Sequence, residues 1–239
     1  MSTGRICRPE DNVRLSLPRV GMIKTGFKDN NGFPKSVDYF IPTGRYAHLF
    51  TNSYGEKPNL IQIVFPENDP SKVCIERYEY RDDEGRLFAR GDGENFEVWD
   101  GKKYEPLTKT AWPNLMQGIA KKYPNKMVKK GEDGWSVVLT LNFVVPMIKG
   151  IAGYWQFTTK GEASTIPQIR NVFDNVLQKR GFVAGIIFDL SVDFAKSQKP
   201  GQKSRYPVVS LVPNESDENV NKIKQVYQLN QIGDGSENK

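Results

Sequence analysis

The chain lacks long hydrophobic runs and contains very little cysteine and histidine. Among its 239 residues, two are cysteines, Cys7 and Cys74, and one is a histidine, His48. Two cysteines cannot form a disulfide framework, and a zinc centre would need unusually many carboxylate ligands. A Ser–His–Asp or Cys–His enzyme would depend on His48, whose surroundings of turn formers and aromatics favour a packing or surface role. These counts argue against the two commonest routes to hydrolysis.

The hydropathy pattern also argues against a membrane location. No stretch approaches the roughly 20 apolar residues that a spanning helix requires, and the first residues lack the apolar core of a secretory signal. The hydrophobic fraction of 38% and the charged fraction of 26% are typical of water-soluble globular proteins. We therefore expect an intracellular protein without a membrane segment.

Positive charge is present in excess and is unevenly distributed. The net charge is +6, and residues 102–130 contain eight lysines against one acid, whereas residues 76–100 contain nine acids against four arginines. Such a split suits an anionic partner on one side and a protein or cation on the other. The alternative is that both segments are ordinary solvated surface.

Alternation of apolar and polar residues predicts an α+β fold that is mostly antiparallel β-sheet. Asn31-Gly32 and Asp100-Gly101 are typical of hairpin turns. The apolar, β-branched segment 134–146 indicates a buried central strand. The other strands predicted in the first half span residues 20–26, 36–42, 59–66 and 72–80.

One well-formed helix is predicted at about residues 165–180. Thr165 and Gln168 form a capping-box pair, apolar residues recur three and four positions apart, and Gly181 ends the pattern. One or two short helices are also expected, one of them at residues 111–123. A basic two-stranded ribbon follows the long helix, with Pro200-Gly201 at its tip.

The domain prediction is one compact α+β domain over residues 1–213. An arrangement of two lobes that meet near residues 105–130 remains open. Residues 214–239 are predicted to be an acidic and polar tail, with a marginal helix followed by disorder.

The sequence lacks two common nucleotide-binding motifs. The strand, turn and helix of "YWQFTTKGEAST" resemble a phosphate-binding corner but lack the Walker spacing, and "GDGENF" has Phe96 where a dinucleotide fingerprint needs its third glycine. We interpret the corner as structural, with Lys160 as a lone candidate phosphate contact. Asp92 and Asp100 loosely fit a cation-dependent nuclease, although Asp-Gly is also the usual hairpin tip.

Two basic segments are candidates for contact with nucleic acid or another anionic partner. Cations attract phosphates regardless of sequence, and exposed aromatic side chains stack on bases. No catalytic residue, metal ligand or cofactor is predicted. The candidate contact residues are Trp112, Lys121, Lys122, Lys126, Lys129, Lys130, Lys160, Lys196, Lys199, Lys203 and Arg205.

Most of residues 17–213 resembles the recombination-directionality-factor-like family of phages and integrative elements. Near the start, "LPRVGMIKTG" and "NGFPKSVDYF" match that family's opening pattern at Val20, Gly21, Ile23, Gly26, Pro34, Val37, Asp38 and Phe40. Farther on, the matching residues are Pro146, Gly153, Trp155, Thr159, Gly161, Gly185, Leu190 and Val192. Many members carry a central cysteine-rich insert that looks metal-binding, whereas this chain has "GDGENFEVWDGKKYEPL" and the lysine-rich segment there.

The resemblance implies a regulator that itself makes and breaks no bonds. Such a factor binds a large serine integrase on its DNA, touching DNA directly or through the integrase, and biases recombination toward excision in the cytoplasm of a bacterial host. Two other hypotheses stay open: a nucleic-acid-binding accessory protein of a phage replication module, and a cation-dependent nuclease that uses Asp92 and Asp100.

Overall fold

The structure is a computed structural model that describes residues 15, 17–81, 85–107, 136–196 and 205–214. Within these ranges the fold is α+β and mostly sheet, which confirms the predicted class. The strands are β1 (Arg19–Lys28), β2 (Pro34–Thr43), β3 (Leu60–Val64), β4 (Cys74–Arg81), β5 (Leu87–Gly91), β6 (Phe96–Trp99), β7 (Tyr104–Leu107), β8 (Ser136–Phe143), β9 (Tyr154–Thr159), β10 (Ile187–Lys196) and β11 (Arg205–Pro213). The described helices are α1 (Ala47–Tyr54), α2 (Pro70–Val73) and α3 (Thr165–Arg180). None of these three helices is long and apolar enough to cross a membrane.

The strands form one large sheet and one small sheet. The large sheet is mixed and has the order β2-β1-β9-β8-β4-β5-β6-β7, and the small sheet has the order β11-β10-β3. β1 and β9 run parallel. The pairs β1–β2, β4–β8, β4–β5, β5–β6, β6–β7, β10–β11 and β10–β3 are antiparallel. Strand β8 lies between β9 and β4, so the predicted central strand is confirmed.

The chain divides into two compact units. The first contains Asp69–Leu141 and Thr158–Ile166, and the second contains Leu17–Asn68, Asn142–Phe157 and the chain from Pro167 onward, each within the described ranges. Residues 108–135 and 215–239 lie outside those ranges. The single domain over residues 1–213 and the polar tail therefore stay predictions.

Trp155 is the largest buried side chain of the second unit, and it lies directly against a glycine. Gly21 on β1 is the register partner of Trp155 on β9. A Cβ at Gly21 would overlap the six-membered ring of the indole, and Phe50 of α1 packs on that indole with 5.2 Å between ring centroids. A Cβ at Gly153 would likewise overlap Val20. The two glycines therefore allow the parallel strands to approach each other closely.

An aromatic cluster joins α3 to the small sheet in the same unit. The ring centroid of Phe65 lies 5.0 Å from that of Phe173 on α3 and 5.3 Å from that of Phe188 on β10. Helix α3 has the predicted bounds, and Gly181 follows it with a φ of 78°. The predicted apolar stripe is confirmed, because Ile166, Ile169, Phe173 and Val176 are buried.

The first unit contains a buried carboxylate held by two arginines. Arg77, Glu79 and Arg81 alternate along β4 and so share one face of the sheet. Arg77 Nε donates to Glu79 Oε1 at 2.7 Å, and Arg81 Nε donates to Glu79 Oε2 at 2.8 Å. On the neighbouring strands, Arg90 Nη2 lies 2.7 Å from Glu97 Oε2. Two acids of the acidic segment are therefore counter-ions inside the sheet.

The two short helices α1 and α2 were not predicted. Helix α1 replaces an expected irregular segment, carries His48 on its exposed side, and ends at Gly55, whose φ is 84°. Helix α2 occupies the start of the segment predicted as strand 72–80, so β4 begins only at Cys74. The cause is local, because the Asp69 carboxylate accepts the Ser71 N–H at 2.9 Å and Pro70 occupies the first turn.

Adding a methyl group at Gly21 tests the packing of Trp155. We expect Gly21→Ala to lower the free energy of unfolding by about 2 kcal/mol, because the new Cβ forces a large buried ring off its position. Urea denaturation measures the change. Gly161→Ala is the matched control and should lose less, since its Cβ would come no closer than 3.0 Å to the Thr165 side chain. A loss below about 0.5 kcal/mol at Gly21 would contradict the packing argument.

Neutralising Glu79 tests the buried ion pairs. Glu79→Gln keeps the shape but removes the counter-ion of Arg77 and Arg81, whose side chains are about one-third exposed, so we expect a loss of about 2 kcal/mol. Glu105→Gln is the control, because the Lys103–Glu105 pair is largely exposed and its loss should leave the urea midpoint nearly unchanged. Equal effects of the two variants on urea midpoints would be inconsistent with this assignment.

Candidate partner interface

Three of the candidate contact residues fall within the described ranges. They are Lys160, Lys196 and Arg205, and all three are exposed. The other candidates lie outside the described residues: Trp112, Lys121, Lys122, Lys126, Lys129, Lys130, Lys199 and Lys203. Partner contact by the lysine-rich segment therefore stays a prediction.

The predicted ribbon is formed by β10 and β11, which pair along nine residues of each strand. At its outer end, Lys196 lies directly opposite Arg205. Like charges in opposite positions repel, so this pair costs stability unless the side chains diverge or meet a partner. Arg205 is positioned over the ring of Phe194, with its Cζ 5.0 Å from the ring centroid. Tyr206, 39% exposed, follows it. The ribbon thus presents two cations and an aromatic side chain to solvent.

The corner before α3 uses its own polar groups internally. The Gly161 N–H donates to Thr159 Oγ1 at 3.1 Å, and the Ile166 N–H donates to the Gly161 carbonyl at 3.0 Å. Thr165 is buried, and a Cβ at Gly161 would press against it. Amide groups that would have to face a phosphate are therefore already bonded within the corner. This geometry favours the structural interpretation, with Lys160 exposed beside the turn.

The two acidic turns stand at opposite ends of β6. The Asp92 carboxylate accepts the N–H groups of Glu94 and Asn95 at 2.8 and 2.7 Å, and the Asp100 carboxylate accepts those of Lys102 and Lys103 at 2.6 and 2.8 Å. A four-residue strand separates the turns by roughly 13 Å. No group of three potential metal ligands occurs among the described residues.

The Asp100 carboxyl is correspondingly stabilised as an anion. Hydrogen bonds from the Lys103 and Lys102 backbone N–H groups lower the pKa of Asp100 below its ordinary value of 3.8. Since the pKa in the folded protein is depressed, the turn's contribution to stability is present above pH 3.8 and is lost as the pH falls through the lowered value. The charge of Asp100 therefore holds a hairpin tip.

The β1–β2 hairpin exposes two phenylalanines that the sequence analysis did not select. Phe27 is 45% exposed and Phe33 is 65% exposed. The turn between them is fixed by Asp29, whose Oδ1 accepts the N–H groups of Asn31 and Phe33 at 3.0 and 2.9 Å. Lys35 lies opposite Phe27 and contacts Asp29 with 3.4 Å between Nζ and Oδ2. The available signal was a phenylalanine directly beside the predicted Asn-Gly turn.

A groove in the second unit was also missed. It has a volume of about 470 Å³ and is lined by Pro18–Met22, Thr43–Tyr46 and Ile151–Ala152. Arg19 and Arg45 both line it and are exposed, and no acidic residue is among its lining residues. The signal in the sequence was an arginine within two residues of a glycine in both "PRVG" and "TGRY". These two segments are separated along the chain and line one groove only in the fold.

In a comparison with protein families, residues 20–214 match the family described as Gp3-like, recombination directionality factor-like. The matched region includes every described element except the first residue of β1. Neither a curated protein nor a solved structure matches the chain.

The nuclease hypothesis makes a separate prediction about divalent cations. Because the Asp92 and Asp100 carboxylates are apart and each already accepts two backbone N–H groups, we expect Mg²⁺ or Mn²⁺ to leave the melting temperature unchanged. Thermal melts with and without a few millimolar of either ion, and with a chelator, are the measurement. A rise in Tm that Asp92→Asn and Asp100→Asn both abolish would restore the nuclease hypothesis.

Proposed function

Because this chain belongs to the recombination directionality factor-like family, we propose that it regulates DNA recombination by binding a large serine integrase and biasing it toward excision. The family is regulatory, and the regulator acts in the cytoplasm of the bacterial host of a phage or integrative element. DNA is contacted directly or through the integrase. The family match over residues 20–214 carries this proposal.

The ribbon supports the proposal from the structure. Lys196 and Arg205 are register partners across β10 and β11. Arg205 is oriented by the ring of Phe194. An exposed pair of cations is suited to phosphates or to an acidic surface of an integrase bound to DNA. Lys199 and Lys203, outside the described residues, would extend the same positive end of the ribbon.

A binding protein is sufficient for such a switch. A ligand reverses a two-state equilibrium from 1:99 to 99:1 when it binds one state about 5.5 kcal/mol more tightly than the other. Several ion contacts and one or two apolar contacts that form on only one integrase–DNA assembly could supply that difference. No covalent step is needed.

A second candidate function is that of a nucleic-acid-binding accessory protein of a phage replication module. The β1–β2 hairpin favours it, because Phe27 and Phe33 are exposed beside Lys28 and Lys35. Exposed aromatic side chains among cations bind single-stranded nucleic acid by stacking on bases. This function predicts binding to free DNA, whereas a directionality factor can act with weak binding to free DNA or none.

A gel-shift series separates the two functions. We expect the chain to lower the gel mobility of a complex of DNA with the serine integrase of the same phage or element. Its binding to the DNA alone should be weaker or absent. Lys196→Glu with Arg205→Glu should weaken this association at least about tenfold, equivalent to ~1.4 kcal/mol. The same reversals at Lys199 and Lys203 test the rest of the ribbon.

Lys179→Glu with Arg180→Glu, at the exposed end of α3, is the matched control for net charge. Unchanged association after reversal at both ribbon pairs would remove the ribbon from the proposal. Strong binding to free DNA that falls steeply with salt and needs no integrase would favour the accessory function.

A further inference from the structure

The groove lined by Arg19 and Arg45 has the properties of a binding site, and neither the family match nor the ribbon accounts for it. Its volume of about 470 Å³ is within the usual range for pockets that hold small ligands or a few residues of a peptide. Apolar atoms line it alongside the two arginines. The residues used below are Arg19, Met22, Arg45, Tyr46, Ile151 and Ala152.

The backbone of the groove is held by glycines. Gly44 has a φ of 107°, a conformation that side chains other than glycine rarely adopt, and a Cβ there would come 3.3 Å from the Gly21 Cα. Gly21 in turn lies against the ring of Trp155. The corner before α1 can therefore lie directly on β1, and the groove is part of the packed unit rather than a gap between loose segments.

Arg19 is held in place by a chain of side-chain hydrogen bonds. Arg19 Nη1 donates to Gln156 Oε1 at 2.9 Å, and Gln156 Nε2 donates to Asn142 Oδ1 at 3.0 Å. Asn142 is buried, so the chain of bonds is anchored in the core. Since these partners are neutral, the positive charge of Arg19 is oriented but not neutralised. A bound anion would find the other N–H donors of the guanidinium already oriented.

Arg45 supplies the second charge. Its Cζ lies 5.6 Å from the centroid of the Tyr46 ring, which also lines the groove. Among the described residues, no acid forms an ion pair with Arg45 or with Arg19. Two arginines beside apolar walls, with no acid in the lining, give the groove a charge that calls for an anionic occupant.

We propose that this groove binds an acidic peptide segment of a protein partner, in which carboxylates flank an apolar side chain. Arginine matches carboxylate geometry with paired N–H donors, and the apolar side chain would pack against Met22, Ile151 and Tyr46. A DNA phosphate also attracts arginine, but a sugar–phosphate backbone has no apolar side chain to fill the concave part. The peptide is therefore favoured over DNA. The proposal rests on the proposed function only in naming the integrase as the source of the segment.

Fluorescence polarisation with labelled peptides tests the groove without the integrase. The probe is a peptide of the sequence Asp-Leu-Asp-Asp-Leu-Asp, and the matched control peptide replaces each Asp with Asn. We expect the acidic peptide to bind with a Kd below about 1 mM and the amide peptide to bind at least about tenfold more weakly. No saturable binding of the acidic peptide, or equal binding of the two, would overturn the proposal.

Two variants locate the binding. Arg45→Glu reverses one charge, and Ala152→Trp fills the groove without changing charge. Each should weaken peptide binding at least about tenfold. Lys149→Glu, an exposed reversal outside the groove lining, should not. Thermal melts establish that each variant is folded. A folded Ala152→Trp that binds the peptide like the wild type would show that the cations act without the groove, and would overturn the proposal.

The same proteins are then tested against the full-length integrase and a DNA duplex. Loss of integrase binding by Arg45→Glu and Ala152→Trp, with DNA binding unchanged, supports the proposal. Loss of DNA binding alone would identify a phosphate site and overturn it. If the wild-type chain binds the acidic peptide but no integrase, the groove stands and the proposed function fails. If it binds the integrase and the groove variants do so equally, the groove fails and the proposed function stands.

Discussion

The contact between Gly21 and Trp155 is the constraint on which the second unit depends. It sets how closely the parallel strands β1 and β9 approach each other. Candidate binding groups lie at both ends of β1. Arg19 begins the strand and donates a hydrogen bond to Gln156 of β9, and the hairpin that follows the strand carries the exposed Phe33. A buried indole against a glycine therefore positions the strand that begins with Arg19 and enters the hairpin of Phe33.

Charge in the described part of the chain serves two different purposes. Inside the first unit, Glu79 and Glu97 form ion pairs with arginines on neighbouring positions of the sheet. These pairs neutralise charge within the fold. At the ribbon and in the groove, cations are instead oriented by neutral groups, by Phe194 for Arg205 and by Gln156 for Arg19. A cation that is oriented but not neutralised can form an ion pair with an anionic partner.

The sequence predicted those features that local chemistry determines. The α+β class, the limits of α3, the Asp100-Gly101 tip and the ribbon follow from periodicity, capping and turn residues, and the structure has them. It did not predict the parallel pairing of β1 with β9, because alternation identifies a strand but not its neighbour. The groove was missed for the same reason, since tertiary packing alone brings Arg19 and Arg45 to the same groove. Helix α2 was missed because Asp69 and Pro70 were not recognised as its N-terminal signal, and its last two residues were assigned to the strand that follows.

The central claim is that this chain acts by binding a recombination assembly and not by turning over a substrate. A recombination assay in vitro tests it most directly: the large serine integrase of the same phage or element, a plasmid that carries the two product attachment sites, and increasing amounts of the chain. The account predicts that excision appears only with the chain and rises until the chain is stoichiometric with the integrase. Excision that is unaffected by the chain, or that is complete at amounts far below the integrase, would contradict it.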